Sequence, residues 1–238
     1  MGYGLRSVNA ISNQEMVIKI KTNLGLLSNN IVDSNSQSHY ESLKQEGKSK
    51  VEVDSLIQED QKMADSLTAN TRRVAKVLAH GNVAIENRMF HHMLLAQKLI
   101  AASRLDSRES KPSAMLIRHW INALPTTDLS NMIYWDKQQL VEVDSPNLIA
   151  QYKQALAFNQ RVFKLLVEDT ESPYAKTKSL DFDQWVWAFT IVSSRNLVLN
   201  NVPYQDTADP NAIFMIVPLL DYLNHSLTPN CVVTGYHD

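Results

Sequence analysis

Residues 212–226 read Ala212-Ile213-Phe214-Met215-Ile216-Val217-Pro218-Leu219-Leu220-Asp221-Tyr222-Leu223-Asn224-His225-Ser226, and Pro229-Asn230-Cys231 follow closely. The apolar run from Ala212 to Leu220 is too short for a helix of ordinary length and predicts a buried strand. It runs directly into a polar cluster, where backbone groups left unpaired at a strand end are free to meet a ligand. Asn224 and His225 add amide and imidazole groups suited to a heterocycle. A purely structural strand end has no need of Asn-His-Ser after such a run.

Working outward, Cys231 to Thr234 predicts a further strand. At the other end of the chain, Leu5 to Ala10 and Met16 to Ile20 predict a hairpin joined by Ser12-Asn13-Gln14-Glu15. The stretch 29–50 is rich in Ser, Asn, Gln and charge, buries too little to offset its ordering entropy, and is expected to be flexible. Helices are predicted between these ends. Ser55 to His80 carries apolar residues at Leu56, Met63, Leu67, Val74 and Leu78, and Gly81 punctuates it. Val83 to Arg104 spaces Ile85, Met89, Met93, Ala96 and Ile100 by three and four, which predicts one buried face. Ser113 to Ala123 ends at Leu124-Pro125, Ser145-Pro146 starts a long helix, and Asp181 caps another that carries Trp185, Ala188, Phe189 and Val192. The predicted fold class is α+β, with strands at both ends and helices between.

Composition narrows the function. The chain has 238 residues, 44% of them hydrophobic, with Lys+Arg 23 against Asp+Glu 25 and a formal charge of −2. No basic excess exists to release counterions from a phosphate backbone, which argues against non-specific nucleic-acid binding. Cys231 is the single cysteine, so an internal disulfide and a Cys-rich zinc site are excluded. No apolar run approaches the ~20 residues of a membrane span, and no secretory h-region opens the sequence. A soluble protein of the cytoplasm or nucleus is expected, with no membrane or nucleic-acid partner. His91-His92 lies on a helix without a second cluster, so packing is expected there and no metal site. Trp185 and Trp187 are expected in the core.

Four collinear segments carry a resemblance. Leu219-Leu220-Asp221-Tyr222-Leu223-Asn224-His225-Ser226 with Pro229-Asn230 resembles the NHS…PN motif of SET-domain protein methyltransferases, half of that family's pseudoknot. Gly2-Tyr3-Gly4-Leu5 resembles the family's G-x-G-L opening. Leu124-Pro125, Tyr134-Trp135 and Leu140 resemble the LP…(Y/W)…L part of a helical insertion. Trp187-Ala188 through Val192-Ser193-Ser194-Arg195 resembles its W-A-x-x-x-V-x-(S/T)-R helix. The subgroup is the one similar to the Rubisco large-subunit lysine methyltransferase and the actin-histidine methyltransferase.

The resemblance implies a β-rich SET core split by a large helical insertion. Residues 1–30 would form its first part, 31–195 the mostly helical insertion, and 196–238 a truncated second part with an incomplete pseudoknot. It implies an S-adenosyl-L-methionine-dependent N-methyltransferase acting on a protein lysine or, as in the actin-directed relatives, a histidine. Gly2, Tyr3 and Gly4 resemble the turn lying against the cofactor, where glycine permits close approach. Arg195 resembles the arginine holding the cofactor's carboxylate, a task for a planar charged fork. Asp221, Asn224 and His225 resemble the segment gripping the adenosine end. The family's catalytic tyrosine follows in a G-E-x-(L/V/I)-x-I-x-Y-(G/D) stretch, expected beyond Asp238, so no catalytic residue is assigned and both ends are expected to be cut. Each feature also has a plainer reading. A Gly-x-Gly is ordinarily a turn, and an arginine at a helix end equally serves terminal carbonyls. A non-catalytic interaction module derived from a SET domain is the alternative function.

Overall fold

The structure, a computed structural model, describes residues 26–27, 47–104, 112–126, 131–168, 180–199 and 213–222. Among these, helix predominates and the sheet is small. In chain order the elements are β1 (Leu26–Leu27), α1 (Lys50–Ala79), α2 (Val83–Ser103) and α3 (Pro112–Ala123). A 3₁₀ turn (Met132–Tyr134) is followed by α4 (Lys137–Glu142), α5 (Pro146–Val167) and α6 (Phe182–Arg195). Strands β2 (Leu197–Leu199) and β3 (Ile213–Ile216) and a second 3₁₀ turn (Leu220–Tyr222) complete them. The expected hairpin in residues 5–20, the strand at Cys231–Thr234 and most of the flexible stretch lie outside the described residues.

Local chemistry explains most helix ends. Helix α1 begins five residues before the expected Ser55, because Ser49 and Glu52 form a capping box: the Glu52 amide donates to Ser49 Oγ at 3.3 Å and the Ser49 amide to Glu52 Oε2 at 2.9 Å. Lys50 therefore opens a helix and does not close a flexible stretch. The α1 terminus is turned by His80 and Gly81, both left-handed at φ 49° and 85°. Ser145 caps α5 with Pro146 in its first turn, and the Asp181 carboxylate accepts from the Gln184 amide at 2.8 Å to cap α6.

Helix α2 departs from its expected single buried face. Every residue from Phe90 to Gln97, with Leu99 and Ile100, is buried, whereas Ile85 at its start is exposed. Helices α1, α3 and α6 and the sheet surround this stretch, so it is the central helix of the fold. A helix buried all round needs apolar residues all round, and the row Met93-Leu94-Leu95-Ala96 supplies them. One of its buried polar groups, Gln97, donates from Nε2 to Thr71 Oγ1 of α1 at 2.8 Å and to the Met93 carbonyl at 3.1 Å. Against the other side lies α6, whose Trp185 is fully buried and donates from Nε1 to Asn159 Oδ1 of α5 at 3.2 Å. Trp187 is only half-buried, its rim packed on the same core.

The sheet has order β1-β3-β2 with both pairs antiparallel, Leu26 opposite Ile216 and Val198 opposite Phe214. A segment from the start of the chain thus lies beside one near its end. β3 is central and consecutive residues Phe214 to Val217 are all buried, so both faces are covered and the run does not alternate. The strand ends at Ile216, short of the expected Leu220. Pro218 has no amide to continue the ladder, and Leu219 adopts φ 73°, which turns the chain into the 3₁₀ turn.

Candidate functional site

The C-terminal end of α6 delivers Arg195 to the 3₁₀ turn that follows β3. Arg195 Nη1 donates to the main-chain oxygen of Asp221 at 3.0 Å and lies 3.3 Å from its Oδ2. Trp120 of α3 donates from Nε1 to the same Oδ2 at 3.2 Å. The Asp221 carboxyl is closed off from solvent, while the Arg195 side chain keeps 22% of its surface exposed. Two residues of the candidate site therefore meet, although they come from different motif segments. Both bonds leave from Nη1, so among the described residues Nε and Nη2 form no hydrogen bond. The Arg195 guanidinium also lies 5.8 Å from the centre of the Tyr222 ring, a cation–π distance.

Burial raises the Asp221 carboxyl above its ordinary value, since an enclosed charge loses its hydration. The Trp120 hydrogen bond and the Arg195 charge pull it back. Asp221 Oδ1 is buried with no hydrogen-bond partner among the described residues. Among the described residues the carboxylate is thus held on one oxygen.

Three further bonds draw neighbouring segments to this place. The Tyr222 hydroxyl donates to the Ala123 carbonyl at 3.2 Å, just past Trp120 on α3. Trp187 Nε1 donates to the Pro125 carbonyl at 3.0 Å. The Tyr134 hydroxyl donates to Thr190 Oγ1 at 3.5 Å, a long bond. The Leu124-Pro125 segment and Tyr134 are therefore fastened to α6, and the Asp221-Tyr222 turn to α3 and α6.

Gly2, Tyr3, Gly4, Asn224 and His225 lie outside the described residues, so their placement relative to Arg195 and Asp221 is not part of this geometry. His91 and His92 are buried on α2, stacked and edge-on against Phe214, as packing residues. Among the described residues no group of three or more His, Cys, Asp or Glu is arranged to hold a metal ion. No described helix is long and apolar enough to cross a membrane. Trp120 is the member of the cluster that the sequence did not single out. It stands between His119 and Ile121 on a short helix, and its partner Asp221 is 101 positions away. No local pattern links such a pair.

Comparison of the chain with family models, with curated proteins and with solved structures finds no match.

Proposed function

We propose that the chain is an S-adenosyl-L-methionine-dependent protein N-methyltransferase of the SET class, acting on a lysine or a histidine side chain. The β-rich SET core, split by residues 31–195 and continued in 196–238, belongs to this reading. The observation that carries it is the meeting of Arg195 with Asp221. They stand in two motifs of the resemblance, and they share an enclosed cluster to which Leu124-Pro125 is tied through Trp187.

The residues present fit the cofactor's carboxylate. Nη1 is spent on Asp221, and a planar guanidinium retains a second edge, Nε and Nη2, of the shape that a carboxylate takes in bidentate fashion. The Arg195 side chain keeps part of its surface exposed, as a residue that meets a ligand must. Asp221 anchors the guanidinium from behind and offsets part of its charge, which keeps an unfilled site from burying a lone cation. The cofactor would supply the transferable methyl group, on a sulfonium. The chain's own work is to hold that molecule by its carboxylate end, to align it with the acceptor nitrogen and to keep water out. Asn224 and His225 are the proposed holders of the adenosine end, and Gly2 to Gly4 the close-approach turn.

One observation favours the non-catalytic interaction module instead. Arg195 already has an internal carboxylate partner, and a structural pair of that kind needs no ligand.

Calorimetric titration with S-adenosyl-L-methionine decides between the two. The 238-residue chain is expected to bind weakly and saturably, and a chain extended through a G-E-x-x-x-I-x-Y segment tightly. Arg195→Lys, which keeps a charge for Asp221 but loses the fork, should weaken binding by about tenfold, the worth of roughly one charge-assisted hydrogen bond. No heat of binding from either chain leaves the module as the reading.

A further inference from the structure

We infer that Trp120 is a positioning residue for the Arg195–Asp221 pair, the donor that decides which edge of the guanidinium is left for a carboxylate-bearing ligand. The inference rests on the methyltransferase reading above and adds to it a residue found in none of the motif segments.

Asp221 Oδ2 is the shared point. It accepts from Trp120 Nε1 at 3.2 Å and lies 3.3 Å from Arg195 Nη1, which also donates to the Asp221 main-chain oxygen at 3.0 Å. Among the described residues Oδ1 has no hydrogen-bond partner, so Oδ2, through Trp120 and Arg195, is what restrains the carboxylate about its terminal torsion. That torsion is soft in a free aspartate. The indole N–H is the restraint that does not move with the guanidinium, and an indole nitrogen donates without accepting, so the bond has one sense only. Trp120 is itself immobilised, since it is buried in the main core with Ile117 and Ile121. One turn on, the Ala123 carbonyl accepts from Tyr222, so α3 grips the same 3₁₀ turn at two points. With Oδ2 fixed, Nη1 is held by two acceptors of one residue, and a planar group pinned in this way has a fixed plane. Nε and Nη2 then point to one place in every molecule, and a ligand meets a preorganised edge without the cost of ordering it.

A core tryptophan with a merely satisfied N–H would affect all ligands alike through stability. A positioning tryptophan would affect only those ligands that reach Arg195. S-adenosylhomocysteine and 5′-methylthioadenosine separate the two cases, because both are neutral thioether nucleosides and only the first bears a carboxylate. Affinities are read by NMR titration of the unmodified chain and of Trp120→Phe. The variant should weaken S-adenosylhomocysteine about tenfold, the loss of roughly one hydrogen bond to a charged group, and leave 5′-methylthioadenosine within about twofold. Equal losses for both ligands, or no loss for either, overturn the positioning role. Should Trp120→Phe not fold, the indole ¹⁵N–¹H signal of Trp120 in the unmodified chain replaces it. It should shift with S-adenosylhomocysteine and stay put with 5′-methylthioadenosine, and identical responses overturn the role. Binding of neither nucleoside, by the unmodified chain or by one extended through a G-E-x-x-x-I-x-Y segment, overturns the methyltransferase reading itself and the positioning role with it.

Discussion

The imidazole of His91 lies flat on the ring of Phe214, with centroids 4.7 Å apart and planes inclined by 11°. His92 meets the same phenyl ring edge-on at 5.8 Å and Phe189 at 6.3 Å. The central strand is therefore fastened to the central helix through two imidazoles that sit among apolar rings, and both must be neutral to stay there. Burial holds His91 down to about 4, with Arg72 and His92 adding to the effect. Burial and the charge of Arg88 hold His92 to about 4, against a hydrogen bond with Asn196 that works the other way.

Acid should therefore loosen this joint. Between about 6.5, the ordinary value, and about 4, the unfolded chain binds protons at both histidines that the folded chain refuses. Stability falls as pH drops through that window, by up to about 1.4 kcal/mol per pH unit for each histidine, and is unaffected by them above it. Asp221, shifted upward by its burial, works in the opposite direction. Urea midpoints at pH 7.5, 6 and 4.5 should decline steadily, and His91→Gln with His92→Gln should flatten the slope. A protein as stable at pH 4.5 as at pH 7.5 contradicts this account.

Removing Arg195 should cost more than removing an ordinary surface charge. Arg195→Ala leaves the closed-off Asp221 carboxylate with Trp120 as its remaining donor among the described residues, and a stability loss of about 3 kcal/mol is expected. Arg195→Met combined with Asp221→Leu removes both charges and should restore most of the loss. Chemical denaturation of the three proteins measures this, and a single variant as stable as the parent would show that the pair is worth nothing.

Gln97 offers a test with the opposite sign. Its Oε1 is buried without a partner among the described residues, and Thr71 Oγ1 keeps its own bond to the Leu67 carbonyl at 2.7 Å whether or not Gln97 is present. Gln97→Met keeps the volume and abolishes the orphaned acceptor, so stability should hold or rise by up to about 1 kcal/mol. A fall of about 2 kcal/mol or more in thermal or urea denaturation would mean that Oε1 has a donor.

Leu219 is the strained point of the turn that presents Asp221. Its φ of 73° is left-handed, and the residue is 48% exposed, so little packing is lost on truncation. A left-handed residue with a Cβ costs about 1–2 kcal/mol, and glycine's extra chain entropy costs about 0.5–1 kcal/mol. Leu219→Gly should therefore raise stability by roughly 0.5–1 kcal/mol. A lowered melting temperature would show that the leucine side chain does more than the backbone geometry implies.

What the amino-acid sequence determined by itself is local. Ser145-Pro146, Asp181 and Gly81 mark helix ends because a cap acts on amides two or three residues away, and those neighbours are visible in the sequence. The buried run through Phe214 and the placing of Trp185 in the core follow from apolar content alone. The Ser49–Glu52 box is equally local, and it, not the polar composition of the flanking stretch, sets the start of α1. The tertiary structure decided whatever depends on a partner far along the chain. Period-three spacing on α2 suggests one buried face, but the neighbours on every side, α1, α3, α6 and the sheet, are what bury it all round. Only a resemblance links Arg195 with Asp221 in the sequence, and nothing there points to Trp120. A hydrogen bond between an indole on α3 and a carboxylate after β3 has no signature in either segment, because it exists only once packing has brought the two within 3.2 Å.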